Sequence, residues 1–88
     1  MMTEIENMIE YCTERGDLEF ELNGVSWGIC STVWGNKPRP TYWYFCDQNG
    51  FMIEEWGEFP SVRDIFNAKV FDGKSIIDLW EHLDFSMN

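Results

Sequence analysis

Two hydrophobic periods alternate along this chain, and they predict its elements. Ile5, Met8, Ile9 and Cys12 recur at i, i+3, i+4 and i+7, the apolar stripe of a helix. Thr3 followed by Glu6 has capping-box form, and Gly16 suits the left-handed position beyond a helix end. The spacing therefore predicts a helix over about Thr3–Arg15. The period then shifts to two: Leu18, Phe20 and Leu22 alternate with Glu19 and Glu21. Asn23-Gly24 follows, the preferred pair for a two-residue type I′ hairpin. Folding about it sets Leu22 opposite Val25, Phe20 opposite Trp27 and Leu18 opposite Ile29. Those six share one face, and Asp17, Glu19, Glu21, Ser26, Gly28 and Cys30 share the other.

Ser31 to Pro40 reads as a loop, with Gly35, Pro38 and Pro40 as breakers. Its stretch Lys37-Pro38-Arg39-Pro40 reads as a stiff connection. A second hairpin is predicted over Thr41 to Trp56 around Asn49-Gly50. It places Tyr42, Tyr44, Cys46, Phe51 and Ile53 on one face, and Trp43, Phe45, Met52 and Trp56 on the other, with Trp43 opposite Trp56. Both faces are apolar, so the hairpin is either covered on both sides or exposes an aromatic patch. Gly57 and Pro60 end the sheet. Ser61 with Asp64 starts a short helix carrying Val62, Ile65 and Phe66. Asp72-Gly73 breaks it, and Ser75 with Asp78 caps a final helix with Ile76, Leu79, Trp80 and Leu83 as its stripe. The expectation is a single α+β domain over residues 1–88: an N-terminal helix, a four-stranded antiparallel meander of two Asn-Gly hairpins, and two short C-terminal helices.

Composition supports a folded domain. Five Trp, seven Phe and three Tyr in 88 residues supply the large buried areas a small core needs. No apolar run reaches the length of a membrane span, and the N-terminus lacks the charged and apolar segments of a signal peptide. Cys12, Cys30 and Cys46 are odd in number and show no paired spacing, which suits reduced thiols in the cytoplasm.

Charge changes the picture most. Sixteen Asp and Glu stand against six Lys and Arg, a net charge of −10. Residues 1–21 carry seven acids and one base, residues 22–46 carry two bases and no acid, and residues 47–88 carry nine acids and three bases. Such a chain disfavours DNA, RNA and anionic membrane as direct partners, since those are bound by neutralising phosphate. It favours a basic protein surface as partner, or no partner at all.

Candidate chemistry is sparse. Gly73-Lys74-Ser75 matches only the end of a phosphate-binding loop, because Ala68 stands where the motif needs its first Gly. It reads as a turn followed by an N-cap. His82 is the single histidine, and its spacing to the cysteines suggests neither a nucleophile–base pair nor a zinc site. Asp47-Gln48-Asn49-Gly50 lacks the calcium-loop spacing. No cofactor, metal site or catalytic residue is expected.

The acids remain. Glu6, Glu10 and Glu14 recur at i, i+4 and i+8 opposite the apolar stripe of the first helix, spaced ~6 Å along its axis. This is of the order of the separation of neighbouring phosphates on a nucleic-acid strand. Asp17, Glu19 and Glu21 on the polar hairpin face would extend the array. The leading expectation is a small non-enzymatic interaction protein, monomer or weak homodimer. It would inhibit or modulate a basic nucleic-acid-handling protein by phosphate mimicry, as an accessory protein of the phage type would. The alternative is a binding or self-association module using an exposed aromatic face of Trp43, Phe45 and Trp56. A third is a small enzyme with paired carboxylates.

Overall fold

The computed structural model describes residues 3–32 and 42–86. α1 (Glu4–Arg15) starts where the capping residues predict. The Thr3 hydroxyl accepts from the Glu6 N–H at 3.2 Å. It ends at Gly16, whose φ of 88° lets its N–H donate to the Cys12 carbonyl at 2.9 Å. β1 (Asp17–Leu22) and β2 (Val25–Ser31) then pair with Leu22 opposite Val25, Phe20 opposite Trp27 and Leu18 opposite Ile29. Asn23 and Gly24 both have positive φ, 53° and 81°, as a type I′ turn demands.

The second Asn-Gly behaves differently. Asp47 Oδ1 accepts from the N–H groups of Asn49 and Phe51, at 2.9 and 3.0 Å. This carboxylate organises a longer turn in which, of the Asn49-Gly50 pair, Gly50 alone takes a positive φ. Cys46 therefore bridges to Met52 instead of the predicted Ile53. After that bridge the chain makes a 3-10 turn, Glu54–Trp56, and returns as β4 (Glu58–Phe59). On β3 (Trp43–Cys46) it is Phe59, not Trp56, that lies opposite Trp43.

α2 (Val62–Asn67) follows its predicted cap, with the Ser61 hydroxyl accepting from the Asp64 N–H. Asp72 and Gly73, both at positive φ, close a tight turn between Phe71 and Lys74. Ser75 and Asp78 make their reciprocal capping bonds at 2.9 and 3.1 Å. The α-helix predicted beyond them does not form. The chain makes turns and a 3-10 segment, Trp80–His82, then β5 (Leu83–Ser86). β5 pairs with β1, Leu83 against Leu22 and Phe85 against Phe20. Leu83 and Phe85 also satisfy a period of two, and the open edge of β1 offers unpaired backbone groups that a strand satisfies and a helix does not.

Among the described residues the antiparallel meander β1 to β4 is thus extended by β5 into a five-stranded sheet, ordered β4-β3-β2-β1-β5, and one long helix and one short one stand where three helices were predicted. The α+β class and the N-terminal helix stand. Both helices pack on one face of the sheet. Ile9 and Cys12 of α1 and Val62, Ile65 and Phe66 of α2 join Leu18, Phe20, Ile29, Trp43 and Phe45 in one buried cluster. Phe71 sits under the sheet at its centre, its ring 5.1 to 6.2 Å from those of Trp56, Trp27, Phe45 and Phe20. No described helix covers the opposite face.

Candidate functional site: an acidic sheet face

Strand register assembles the uncovered face row by row. One row runs Asp17, Cys30, Tyr44, Glu58 across β1 to β4. The next places Glu19 beside Gly28 and Cys46. The third sets Asp84 of β5 against Glu21, with Ser26 beyond it. Asp17, Glu19, Glu21, Glu58 and Asp84 are all exposed, and no Lys or Arg stands in these rows. Arg15 stands beside the first row, its Nε 3.3 Å from Asp17 Oδ1 and both side chains partly in solvent. Such a pair is worth little.

Alternate residues of a strand stand ~6.8 Å apart, so Asp17, Glu19 and Glu21 form a line of charges at near-phosphate spacing. Asp84 doubles that line at Glu21. Like charges directly opposite across two strands destabilise a sheet. Local stability therefore does not account for this pair.

A trough of about 280 Å³ runs through the middle of the face, where Gly28 has no side chain between Glu19 and Cys46. On its floor the sulfurs of Cys30 and Cys46 approach to 2.7 Å. Burial, the hydrogen bond to Cys30 and the charge of nearby Asp47 push the Cys46 thiol up to about 12. Burial also raises the Tyr44 phenol above its ordinary value, with Cys30, Cys46 and Glu58 adding to the effect.

The structure divides the acidic residues singled out from sequence. Asp17, Glu19 and Glu21 lie on the uncovered face, joined by Glu58 and Asp84. Glu6, Glu10 and Glu14 are exposed on α1, which packs on the other side of the sheet. The two sets therefore form separate surfaces. Glu58 and Asp84 escaped the sequence reading because both reach this face through pairings it did not contain, β3 with β4 and β1 with β5. The meeting of Cys30 with Cys46 escaped it because β2–β3 pairing across residues 32–42 has no local signal.

The aromatic trio lies in the core layer. Trp43 is 4% exposed and Phe45 is fully buried; Trp56 is half-buried, its ring 5.2 Å from those of Phe45 and Trp27. No free aromatic face is available from Trp43 and Phe45. Lys37-Pro38-Arg39-Pro40 lies outside the described residues. Gly73-Lys74-Ser75 is divided between the Phe71–Lys74 turn and the Ser75–Asp78 cap. A larger groove of about 690 Å³ runs between α1 and β5, with Met8, Tyr11, Trp80 and Phe85 along it and Glu4 and Glu81 at its rim. It gathers no nucleophile or base pair.

Among the described residues, no three of His, Cys, Asp and Glu converge to hold a metal ion. No described helix is long and apolar enough to cross a membrane. Comparison of the chain with protein-family models, curated proteins and solved structures returns no match.

Proposed function

We propose that this chain is a non-enzymatic interaction protein that docks its uncovered sheet face on the basic surface of a nucleic-acid-handling protein, imitating a run of phosphates. The observation that supports this most is the acidic face itself. Five exposed carboxylates stand on it, two of them directly opposed at Glu21 and Asp84 against the preference of the sheet. Carboxylates held on paired strands keep their spacing, which suits a partner that reads a regular array of charge. Attraction of this kind speeds association and weakens as salt rises. The α1 ridge of Glu6, Glu10 and Glu14 adds to the field but not to the contact.

The test is capture of host-cell proteins on the immobilised chain at low and high salt, followed by competition with a short DNA duplex. The reading expects a basic nucleic-acid-binding protein, retained at low salt and displaced by the duplex. The triple variant Glu19→Lys, Glu21→Lys, Asp84→Lys should retain none while its circular dichroism is unchanged. Equal retention by that variant, or a partner that the duplex does not displace, overturns the proposal.

A further inference from the structure

A second chemistry sits on the same face and does not depend on any partner. We infer that Cys30 and Cys46 form a dithiol site that an uncharged peroxide oxidises to an intramolecular disulfide.

The geometry is specific. Cys30 pairs with Tyr44 and Cys46 pairs with Gly28, so the two cysteines are diagonal neighbours on β2 and β3. Opposite Cys46 stands a glycine, which leaves its side chain free to lean towards Cys30. The sulfurs are 2.7 Å apart, and a disulfide bond is about 2.05 Å long. Closure therefore shortens the gap between the sulfurs by roughly 0.7 Å. Cys12 is excluded as a partner, because it is fully buried in the core on the other side of the sheet.

Access assigns the order of events. Cys30 is half-buried and lines the trough, whereas Cys46 is 2% exposed. The Cys30 thiolate attacks one peroxide oxygen, the O–O bond breaks, and the departing hydroxide takes a proton to become water. Cys30 is then a sulfenic acid. The Cys46 sulfur attacks the Cys30 sulfur, the S–O bond breaks, and the hydroxide leaves with the Cys46 proton as a second water. Two thiols lose two electrons and two protons, and one peroxide becomes two waters. The surrounding carboxylates, Asp17, Glu19 and Asp47, repel anionic oxidants such as glutathione disulfide but not a neutral peroxide.

The bond would tie two strands across a separation of 16 residues, restricting the unfolded chain more than the folded one. Oxidised protein should therefore unfold at higher temperature than reduced protein. The experiment treats the full chain with hydrogen peroxide, traps free thiols with an alkylating agent under denaturing conditions, and maps peptides by mass spectrometry. The expected result is a Cys30–Cys46 crosslinked peptide, an alkylated Cys12, and a raised melting temperature that a reductant reverses. Cys30→Ser and Cys46→Ser should each lose both the crosslink and the rise. A crosslink through Cys12, disulfides only between chains, or separate over-oxidation of Cys30 and Cys46 with no link overturns the inference.

Discussion

The two faces of the sheet are built from alternate residues of the same strands and carry opposite chemistry. On one, Leu18, Phe20, Ile29, Trp43 and Phe45 are buried against both helices. On the other, Asp17, Glu19, Glu21, Asp84 and Glu58 stand in solvent around a pair of thiols. In β1 the division is complete, hydrophobic inward and acidic outward. In β3 it is not, because Tyr44 and Cys46 take outward positions between Glu58 and the trough. The acidic face is thus a rim of carboxylates around a less polar floor, and the covered face is an apolar layer with Ser31 at the end of β2 as its polar exception. Stability resides in the second, and the proposed docking in the first.

The sharpest break in that division is a truncation on the covered side. Phe45 is fully buried, its ring 5.2 to 6.1 Å from those of Trp56, Phe59 and Phe71. Phe45→Ala leaves a cavity that two helices and a strand paired on both sides cannot readily close, and should cost about 3–5 kcal/mol. Denaturant unfolding measures it. A loss below ~1 kcal/mol would mean that the aromatic layer is not the core of this fold. The acidic triple reversal should instead leave the unfolding midpoint at or above its original value.

The cysteines offer a finer comparison. Burial first, and the charge of Asp17 second, push the Cys12 thiol up to about 12 from an ordinary value of 9.0. Below pH 9 the thiol is protonated in both folded and unfolded chains, and its contribution is fully present. Between pH 9 and 12 the unfolded chain loses that proton while the folded one keeps it, so stability falls as pH rises. The slope is on the order of 1 kcal/mol per pH unit for this group. Cys12→Ala should be less stable at neutral pH and yet show a flatter decline between pH 9 and 11. Parallel curves for the two proteins would show that Cys12 titrates as an exposed thiol.

How much of this was legible in sequence follows from the range of each interaction. α1 and the β1–β2 hairpin are specified by neighbours within a few residues: Thr3 and Gly16 for the helix, Asn23-Gly24 and strict alternation for the hairpin. The second Asn-Gly has the same two residues, but Asp47 stands two positions before it and captures the turn with its side chain. The Asp47 side chain thus overrides the dipeptide. The C-terminal strand was not visible locally, because Leu79, Trp80 and Leu83 fit a helix while Leu83 and Phe85 fit a strand. Only the free edge of β1 decides between them. Three acidic site residues, Asp17, Glu19 and Glu21, came from the legible hairpin. Glu58, Asp84 and the thiol pair came from pairings between distant segments.

The smallest expected effect separates the docking face from the charge that merely surrounds it. Glu21→Lys turns an opposed like-charge pair into an attractive one with Asp84, and should stabilise the sheet by roughly 0.2–1 kcal/mol. Glu10→Lys on α1 removes two like-charge contacts, with Glu6 and Glu14, and should stabilise by a comparable few tenths. Both variants change net charge by the same two units. If the sheet face is the contact, Glu21→Lys weakens partner binding well beyond Glu10→Lys, although each makes the protein more stable. Equal weakening by the two would mean that the partner responds to total charge alone, and that the arrangement on β1 and β5 has no special role. A residue whose replacement improves the fold and impairs binding is one that the fold does not require, and Glu21, facing Asp84 across the strand pair, is where that opposition should be greatest.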